Sequence, residues 1–251
     1  YRRSRYVTVS GRTREELVEL GVAADSISII HNGTDTPMAL GIDRAEAPTL
    51  VVLGRLVPHK RVEHAIDVLV ALRQRHAGLT LRIVGDGWWK EQVLQHARER
   101  GVADAVHVLG YVDELTKHRE LARAWVALAP SAKEGWGLCV VEAGSHCVPT
   151  VAYHDAGGLT ESVLDGHTGI LVNSLDEMVE QTSTLLTDHD VRARMGLAAR
   201  EHASGFTWDA AVESWERLLE LTVAGQMGAF DDAYESAADQ AIRPDDELAS
   251  A

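Results

Sequence analysis

The chain has 251 residues, with 24 Lys or Arg against 38 Asp or Glu, so its formal charge at neutral pH is −14. Hydrophobic residues make up 45% of it and charged residues 25%, which indicates a folded globular protein with a sizeable core and excludes wholesale disorder. The acidic balance argues against a nucleic-acid partner, because phosphate-neutralising cations supply most of that affinity. No apolar run approaches the roughly 18 residues of a membrane-spanning helix.

The first 48 residues predict a helix, a short strand and a linker. A β-branched run over residues 6–10 precedes a helical pattern that ends at Gly21, and the apolar run 27–30 stops at a turn signal, His31-Asn32-Gly33. Residues 36–48 carry Pro and Gly without periodicity, as linkers do. Since Tyr1 is neither an initiator Met nor part of a signal peptide, we expect the chain to be a fragment.

From Thr49 onward, β-branched runs alternate with helical patterns, which is typical of βα units on a parallel sheet. The runs are nearly continuous in hydrophobicity, so both faces of the sheet should be covered. We therefore predict an α/β fold, a doubly wound, Rossmann-like sheet of six parallel strands. The six strands are predicted at 50–53, 79–84, 105–109, 125–129, 150–153 and 169–172. The helices between and after them are predicted at 62–75, 88–100, 114–124, 138–146, 158–164, 175–186, 191–202 and 209–223.

The end of the chain differs in composition from the rest. The 26 residues from Gln226 hold seven acidic residues and one basic residue, and such a segment rarely offsets its ordering entropy. We predict a solvated, disordered tail there. The predicted domains are the end of an N-terminal domain with its junction (1–35), a linker (36–48), the Rossmann-like domain (49–205), a C-terminal helix (206–225) and the tail (226–251).

The only two cysteines, Cys139 and Cys147, lie eight residues apart in a predicted helix. That spacing puts them about 12 Å apart, too far for a disulfide, so both should be free thiols in a reducing cytoplasm. No CxxC pair or HExxH helix suggests a zinc site.

The loop after the first strand of the sheet carries two cations. Gly54 opens it, and Arg55 and Lys60 lie five residues apart. Arg binds phosphate oxygens in a bidentate way and Lys acts as a point charge, so the pair suits a diphosphate. Ordinary surface charges are the alternative, but a cation gains nothing at the positive end of a helix dipole unless an anion is present.

The loop after the second strand, Gly85-Asp86-Gly87, is only part of the dinucleotide fingerprint, because Lys90 replaces the third glycine. We interpret it as a tight turn in which Asp86 caps the next helix. A nicotinamide-dependent oxidoreductase is disfavoured for the same reason: the first βα turn lacks the complete fingerprint.

After the fourth strand, Gly135 and Gly137 leave backbone amides accessible at a predicted helix start, which is a ready anion site. Glu134 should lie outside this helix and Glu142 about one turn inside it. Carboxylates accept hydrogen bonds from hydroxyl pairs, so the arrangement matches a ligand with diol, diphosphate and diol in line, a nucleotide sugar. The alternative is that the helix dipole favours Glu134 and that Glu142 is an exposed helix residue.

Taken in order, these motifs resemble the C-terminal, donor-binding half of a retaining GT-B glycosyltransferase of family 4, over residues 6–224. The most specific part is Gly-Arg-x4-Lys followed by Glu-x7-Glu. The other matching marks are His31-Asn32-Gly33-Thr34-Asp35, Gly85-Asp86-Gly87, Gly110-Tyr111-Val112, Pro130-Ser131, Pro149, Gly157-Gly158 with Glu161, Gly166 with Gly169, and Phe206-Thr207-Trp208.

The resemblance implies roles for four charged residues. Arg55 and Lys60 would bind the diphosphate and stabilise the charge on the departing nucleotide. Glu134 would act on the reacting side and contact the donor sugar hydroxyls, while Glu142 would hold the ribose hydroxyls. Catalytic roles thus fall on Arg55, Lys60 and Glu134.

The resemblance also implies the remaining substrate contacts. The amides of Leu138 and Cys139 would meet phosphate, Val112 would border the base, and Lys117 would make a second nucleotide contact. Four further positions complete the implied donor site: Gly54, Gly135, Trp136 and Gly137.

No metal or other cofactor is expected, because two cations and a helix start already supply the electrostatic stabilisation. The pattern Asp188-His189-Asp190, which metal-using glycosyltransferases place on a donor loop, is interpreted here as a helix cap.

Two positions depart from the family, Arg61 and Cys147, where relatives usually carry Gly. The expected function is retaining transfer of a sugar from a nucleotide-sugar donor to an unknown acceptor. The alternative is a catalytically inactive nucleotide-sugar-binding or scaffold module. The resemblance implies that the acceptor site belongs to an N-terminal domain of which we expect the sequence to hold only the end, so the fragment should not transfer sugar alone. We expect a cytoplasmic protein without a transmembrane segment, and the resemblance leaves peripheral membrane contact open.

Overall fold

The computed structural model describes residues 4–35 and 41–224. Its contacts divide the chain into two compact units, one formed by residues 1–35 with 205–251 and the other by residues 36–204. The predicted acidic tail, 226–251, and the first part of the predicted linker lie outside the described residues.

The larger unit holds the predicted sheet of six parallel strands. Numbered in chain order after the two strands of the smaller unit, they are β3 (Thr49–Leu53), β4 (Thr80–Val84), β5 (Val106–Gly110), β6 (Val126–Ala129), β7 (Thr150–Tyr153) and β8 (Gly169–Val172). Their order across the sheet is β5-β4-β3-β6-β7-β8. This is the Rossmann strand order, and it reverses between the neighbouring strands β3 and β6.

Helices cover both faces of this sheet. Successive residues of a strand point to opposite faces, so neighbouring residues pack on different helices. Leu50 of β3 packs in one apolar cluster with α2, α3 and α7, whereas its neighbour Val51 packs in another with α4 and α5. The helices of this unit are α2 (Val62–Leu72), α3 (Lys90–Glu99), α4 (Glu114–Arg123), α5 (Leu138–Ser145), α6 (Leu159–Ser162), α7 (Leu175–Thr187) and α8 (His189–Ala203). The predicted α/β fold is thus confirmed.

In its described residues, 4–35 and 205–224, the smaller unit contains a two-stranded parallel sheet, two α-helices and a short 3₁₀ helix, Ala24–Ser26. Its elements are β1 (Tyr6–Thr8), α1 (Gly11–Glu19), β2 (Ile27–Ile29) and α9 (Trp208–Ala224). Ile30, just past β2, packs on Leu218 of α9 in a small apolar cluster. Thr34 at the junction is hydrogen-bonded to Phe206, which leads into α9.

Three helices end in the same way, and one of these ends corrects a prediction. At Gly21 after α1 and Gly101 after α3, a left-handed residue donates to the helix and the next residue bonds one carbonyl further back, a Schellman motif. Cys147 occupies the same place after α5, with φ +57°. The prediction that Cys147 lies in the helix was therefore wrong, since α5 ends at Ser145. Both cysteines are free.

Two further helix predictions need correction. Asp86 does not cap α3, because its backbone carbonyl and side chain are engaged in the preceding turn and the helix begins only at Lys90, with Trp89 at the N-cap. The helix predicted at 158–164 is only the four residues of α6, since the backbone leaves helical geometry at Val163.

Residues 41–48, the described part of the predicted linker, contain neither helix nor strand but are held on the larger unit. Arg44 donates to the carbonyls of Ala122 and Ala124 at the end of α4, and to those of His146 and Cys147 after α5. The guanidinium thus satisfies carbonyls at two helix ends that the helices themselves leave without partners.

Candidate donor-binding site

The site lies at the carboxyl ends of β3 and β6, where the strand order reverses and open α/β sheets bind their ligands. After β3, Gly54 has φ +152°, and the loop closes in a short 3₁₀ turn, Pro58–Lys60, just before α2. The Lys60 ammonium lies 3.8 Å from where a Cβ on Gly54 would be. Lys60 therefore folds back over the start of its own loop, while Arg55 remains exposed.

The Gly85-Asp86-Gly87 turn after β4 supports this loop by close backbone contact. A Cβ on Gly85 would lie 1.9 Å from the Gly54 carbonyl oxygen, and one on Gly87 would lie 2.2 Å from that of Leu56. Leu56 in turn donates to the Asp86 carbonyl at 2.9 Å. The glycines are thus required for packing one loop on another, which explains the incomplete dinucleotide fingerprint.

Across the switch point, the loop after β6 brings Glu134 to Lys60. The two side chains form an ion pair in which they are only 12% and 16% exposed, respectively. Ser131 also donates to Glu134 Oε1, at 2.6 Å. A backbone bond of 2.7 Å from Ala132 to the His59 carbonyl fixes the two loops against each other. Two residues 74 positions apart in sequence are therefore held as one unit.

The loop after β7 holds the backbone of Glu134 from the other side. Glu134 donates to the Ala156 carbonyl at 2.8 Å, and Gly158 donates to the Glu134 carbonyl at 2.9 Å. A Cβ on Gly158 would lie 2.2 Å from the Gly135 carbonyl oxygen, and Gly157 has φ +72°. The Gly157-Gly158 pair therefore permits an approach that no larger residue would allow.

Helix α5 starts immediately after this loop, at the left-handed N-cap Gly137, which has φ +94° and no side chain to cap the helix. The first amides of a helix have no intrahelical acceptor, so those of Leu138 and Cys139 are available to an anion. Burial, reinforced by the charge of Glu134, raises the pKa of the Cys139 thiol to about 12, so this group stays neutral. The Trp136 side chain is buried, which leaves its backbone as the part that can face a ligand.

One turn inside α5, Glu142 forms a second Lys–Glu pair. Its Oε1 lies 2.6 Å from Lys117 Nζ, which also contacts Glu114 Oε2 at 2.5 Å. Burial alone lowers the pKa of Lys117, but the hydrogen bonds to the two carboxylates outweigh burial and raise it. Glu142 is thus a partly buried, paired residue and not an exposed helix residue.

The structure brings together most of the predicted site residues. The Lys60–Glu134 and Lys117–Glu142 pairs flank the start of α5, and Val112 precedes α4, the helix that carries Lys117. Among the described residues, Arg55 forms no ion pair. Sequence reasoning assigned no contact to Ser131 or Glu114, although the three-residue spacing of Glu114 and Lys117 on one helix predicts such a bond.

The two departures from the family pattern share one backbone feature. Arg61 at the start of α2 has φ +47° and Cys147 has φ +57°, and in the described part of the chain no other residue besides glycine has a positive φ. Left-handed geometry costs an ordinary residue about 1–2 kcal/mol, which is why glycine suits such positions. The chain thus keeps the loop conformations that glycine would adopt.

Asp188 accepts from the Val191 amide at 2.9 Å and is the N-cap of α8, so the capping interpretation of Asp188-His189-Asp190 is confirmed. Within residues 4–35 and 41–224, no three His, Cys, Asp or Glu residues group as a metal site would need. None of the described helices has both the length and the apolar character required to cross a membrane.

Comparison with known proteins defines the class. The model of the family "Glycosyl transferases group 1" matches residues 42–202, so the chain belongs to this family. This match, together with the relatives and structural neighbours below, confirms the part of the resemblance that concerns the C-terminal half of a GT-B glycosyltransferase.

Particular relatives share about a third of their aligned residues with this chain. A glycogen synthase of Mycobacterium tuberculosis is 33% identical over 227 residues, covering 88% of this chain and 55% of the relative. A GDP-mannose-dependent alpha-(1-6)-phosphatidylinositol monomannoside mannosyltransferase of the same species is 34% identical over 230 residues, covering 84% and 58%. The chain spans just over half the length of these two relatives.

Solved structures share the fold at lower identity. Sucrose-phosphate synthase from Thermosynechococcus elongatus superimposes with a TM-score of 0.78 at 22% identity, covering 87% of this chain and 58% of that one. Anabaena Alr3699/HepE, solved in complex with UDP and glucose, gives 0.76 at 23% identity, covering 86% and 63%. These likenesses show the fold.

Proposed function

We propose that this chain is the donor-binding half of a retaining glycosyltransferase, which transfers a sugar from a nucleotide-sugar donor to an acceptor without a metal ion. The observation that carries the proposal is the pair of Lys–Glu contacts on either side of the α5 start. Each contact offers a carboxylate for hydroxyl groups, and the helix start between them offers amides for phosphate.

The diphosphate would lie at the α5 start, between the loops after β3 and β6. Arg55 and Lys60 would contact it together with the amides of Leu138 and Cys139. When the bond between sugar and phosphate breaks, negative charge accumulates on the leaving phosphate. Two cations and a helix N-terminus stabilise that charge, which is the task a divalent metal performs elsewhere.

Donor binding would exchange the partners of both lysines. Lys60 would turn from Glu134 to the diphosphate, and Glu134 would then accept hydrogen bonds from sugar hydroxyls. Lys117 would contact the nucleotide, leaving Glu142 for the ribose and Val112 beside the base. The exchange replaces one charge-assisted bond by another, so it need not leave a buried charge without a partner.

The names of the relatives support a nucleoside diphosphate sugar as donor, because one relative is described as GDP-mannose-dependent and one structural neighbour was solved with UDP and glucose. The acceptor would be bound by a further, N-terminal domain of a longer protein in the cytoplasm. Transfer would require that domain. The alternative of an inactive module loses weight because Arg61 and Cys147 keep the left-handed backbone expected of glycine.

The test is thermal unfolding of the chain with UDP-, GDP- and ADP-sugars, their nucleoside diphosphates and the free nucleosides, all in excess EDTA. A ligand at about 100 times its Kd should add roughly 2.7 kcal/mol to the free energy of unfolding. We expect this increase from one nucleotide-sugar series and from its diphosphate, but not from its nucleoside at the same concentration. Stabilisation that appears only with added Mg²⁺ or Mn²⁺ would overturn the metal-free assignment.

A further inference from the structure

Ser131 is a buried polar residue at the site to which neither the motifs nor the proposed function assign a role. It lies two residues past the end of β6, after Pro130, and is 3% exposed. Its hydroxyl donates to Glu134 Oε1 at 2.6 Å, a length typical of a hydrogen bond between a hydroxyl and a carboxylate. A buried hydroxyl needs such a partner, and here the partner is the carboxylate expected to contact the sugar.

The backbone around this hydrogen bond is fixed on three sides. Glu134 is bonded to Ala156 and Gly158 of the loop after β7, and Ala132 is bonded to His59 of the loop after β3. Ser131 itself lies two residues past the buried strand β6, next to Ala132. The freedom that remains to Glu134 therefore lies mainly in its side-chain torsions.

Lys60 and Ser131 both bond the same oxygen, Oε1 of Glu134. Lys60 is expected to leave for the diphosphate when donor binds, whereas Ser131 can stay because its backbone lies between the end of β6 and the bond from Ala132 to His59. We propose that Ser131 is the positioning residue of the donor-sugar subsite, keeping the Glu134 carboxylate aimed at the sugar hydroxyls after Lys60 has turned away. The proposal rests on the proposed function.

Held through Oε1 by Ser131, Glu134 presents its other oxygen, Oε2, to the ligand. Without the hydroxyl, the carboxylate samples several rotamers and must be ordered again each time a sugar binds. The loss should thus fall on the nucleotide sugar and spare the bare nucleoside diphosphate, which does not reach Glu134.

Calorimetry on the chain tests this with three ligand pairs: UDP and UDP-glucose, GDP and GDP-mannose, and ADP and ADP-glucose. The measured ratio is the Kd of the nucleoside diphosphate divided by the Kd of the corresponding nucleotide sugar. We expect Ser131→Ala to raise the Kd of the nucleotide sugar about three- to tenfold and to change the Kd of the diphosphate less than about twofold. Ser131→Thr, which keeps the hydroxyl, should restore the wild-type ratio. In a Glu134→Gln background, Ser131→Ala should have a smaller effect, since the two residues act as a unit.

Ser145→Ala is the matched control. Ser145 is also buried, at 8% exposure, but its hydroxyl donates to the backbone carbonyl of Glu142 at 2.7 Å. Its loss should lower stability and leave the ratio unchanged. Equal weakening of both ligands by Ser131→Ala, or the same change of ratio with Ser145→Ala, would overturn the positioning role. Failure of the wild-type chain to bind either ligand would instead overturn the proposed function, and this role with it.

Discussion

At the scale of single residues, the site is organised by charges that come in pairs. Lys60 and Glu134 hold one side of the α5 start, and Lys117 and Glu142 hold the other. Each of these four side chains is at most 21% exposed, so removal of one partner leaves the charge of the other in a poorly solvated place. Binding and stability must therefore be measured together for any substitution here.

The cations of the first loop give the first prediction at this scale. Arg55→Ala and Lys60→Ala should weaken nucleoside diphosphate binding about tenfold or more, while nucleoside binding changes little, because hydrogen bonds to charged groups are worth about 1.5–3 kcal/mol. Lys60→Ala should also lower stability, since Glu134 loses its cationic partner, whereas Arg55→Ala should not.

Arg75→Ala is the control for a general charge effect, because Arg75 is an exposed cation just past the other end of α2. Calorimetry with diphosphate and nucleoside separates the variants. Equal losses for the two ligands would show that these cations do not face the phosphates.

The two carboxylates give the second prediction. Glu142→Gln should weaken nucleoside diphosphate and nucleotide sugar by a similar factor, because both ligands contain the ribose. Glu134→Gln should spare the diphosphate and weaken the nucleotide sugar by about ten- to hundredfold. If Glu134→Gln weakened the bare diphosphate as much as the donor, the donor would lie in another orientation.

At the scale of elements, loops after four strands are packed on one another through glycines. Gly85 and Gly87 let the turn after β4 meet the loop after β3, and Gly158 lets the loop after β7 meet the loop after β6. The side chains and amides of the candidate site therefore lie on closely packed loops. Such packing is what the precise placement of charges requires.

Helices α4 and α5, which carry Lys117 and Glu142, are also joined by two histidines. His118 Nδ1 lies 2.7 Å from His146 Nε2, with His118 only 4% exposed. Burial, and then the charges of His118, Arg44 and Lys117, lower the pKa of His146 from its ordinary 6.5 to about 4. Unfolding would return it to the ordinary value.

This contact predicts a pH dependence of stability. Between pH 4 and 6.5 the unfolded chain binds a proton at residue 146 that the folded chain does not, so the free energy of unfolding rises with pH in this window. The contribution is complete above pH 6.5 and is lost as the pH falls toward 4. The free energy of unfolding, measured with urea from pH 4.5 to 7.5, should rise less steeply with pH in His146→Gln than in the wild type.

His154→Gln is the control, since the His154 side chain is 58% exposed. It should keep the wild-type slope. An unchanged slope in His146→Gln would mean that the imidazole pair does not contribute to the acid sensitivity of the fold.

At the scale of the whole molecule, every residue assigned to the donor site lies in the unit formed by residues 36–204, and the family match covers residues 42–202. This unit has its own sheet and its own apolar clusters on both faces. It therefore has what a separately folding domain needs.

We accordingly predict that a fragment of residues 41–204 folds by itself and binds donor with the affinity of the whole chain, within about twofold. Circular dichroism and calorimetry measure folding and affinity, and the Lys60→Ala form of the fragment shows whether the same site is used. A folded fragment with much weaker binding would indicate that the other unit contributes to the site.

Much of the fold and of the candidate site could be predicted from the sequence, because it depends on local periodicity. Strand and helix alternation predicted the six-stranded sheet, and the glycines after the strands predicted a tight turn and a helix start with accessible amides. The spacing of Glu134 and Glu142 placed two carboxylates on either side of a helix start, since Glu134 comes four residues before Leu138 and Glu142 four residues, about one turn, after it. These properties are set by neighbours along the chain.

Which side chains meet depends on contacts between residues that are distant in the sequence. The bonds of Lys60 and Ser131 to Glu134 depend on how β3 and β6 lie side by side, and no local pattern encodes that choice of partner. The left-handed turn at Cys147 was missed because the sequence offers a residue that ordinarily avoids this geometry, whereas packing of α5 on α8 and the bonds from Arg44 hold it there. A local conformational preference is overridden where many long-range contacts oppose it. One unfavourable backbone conformation costs little free energy, whereas the contributions of many contacts add up.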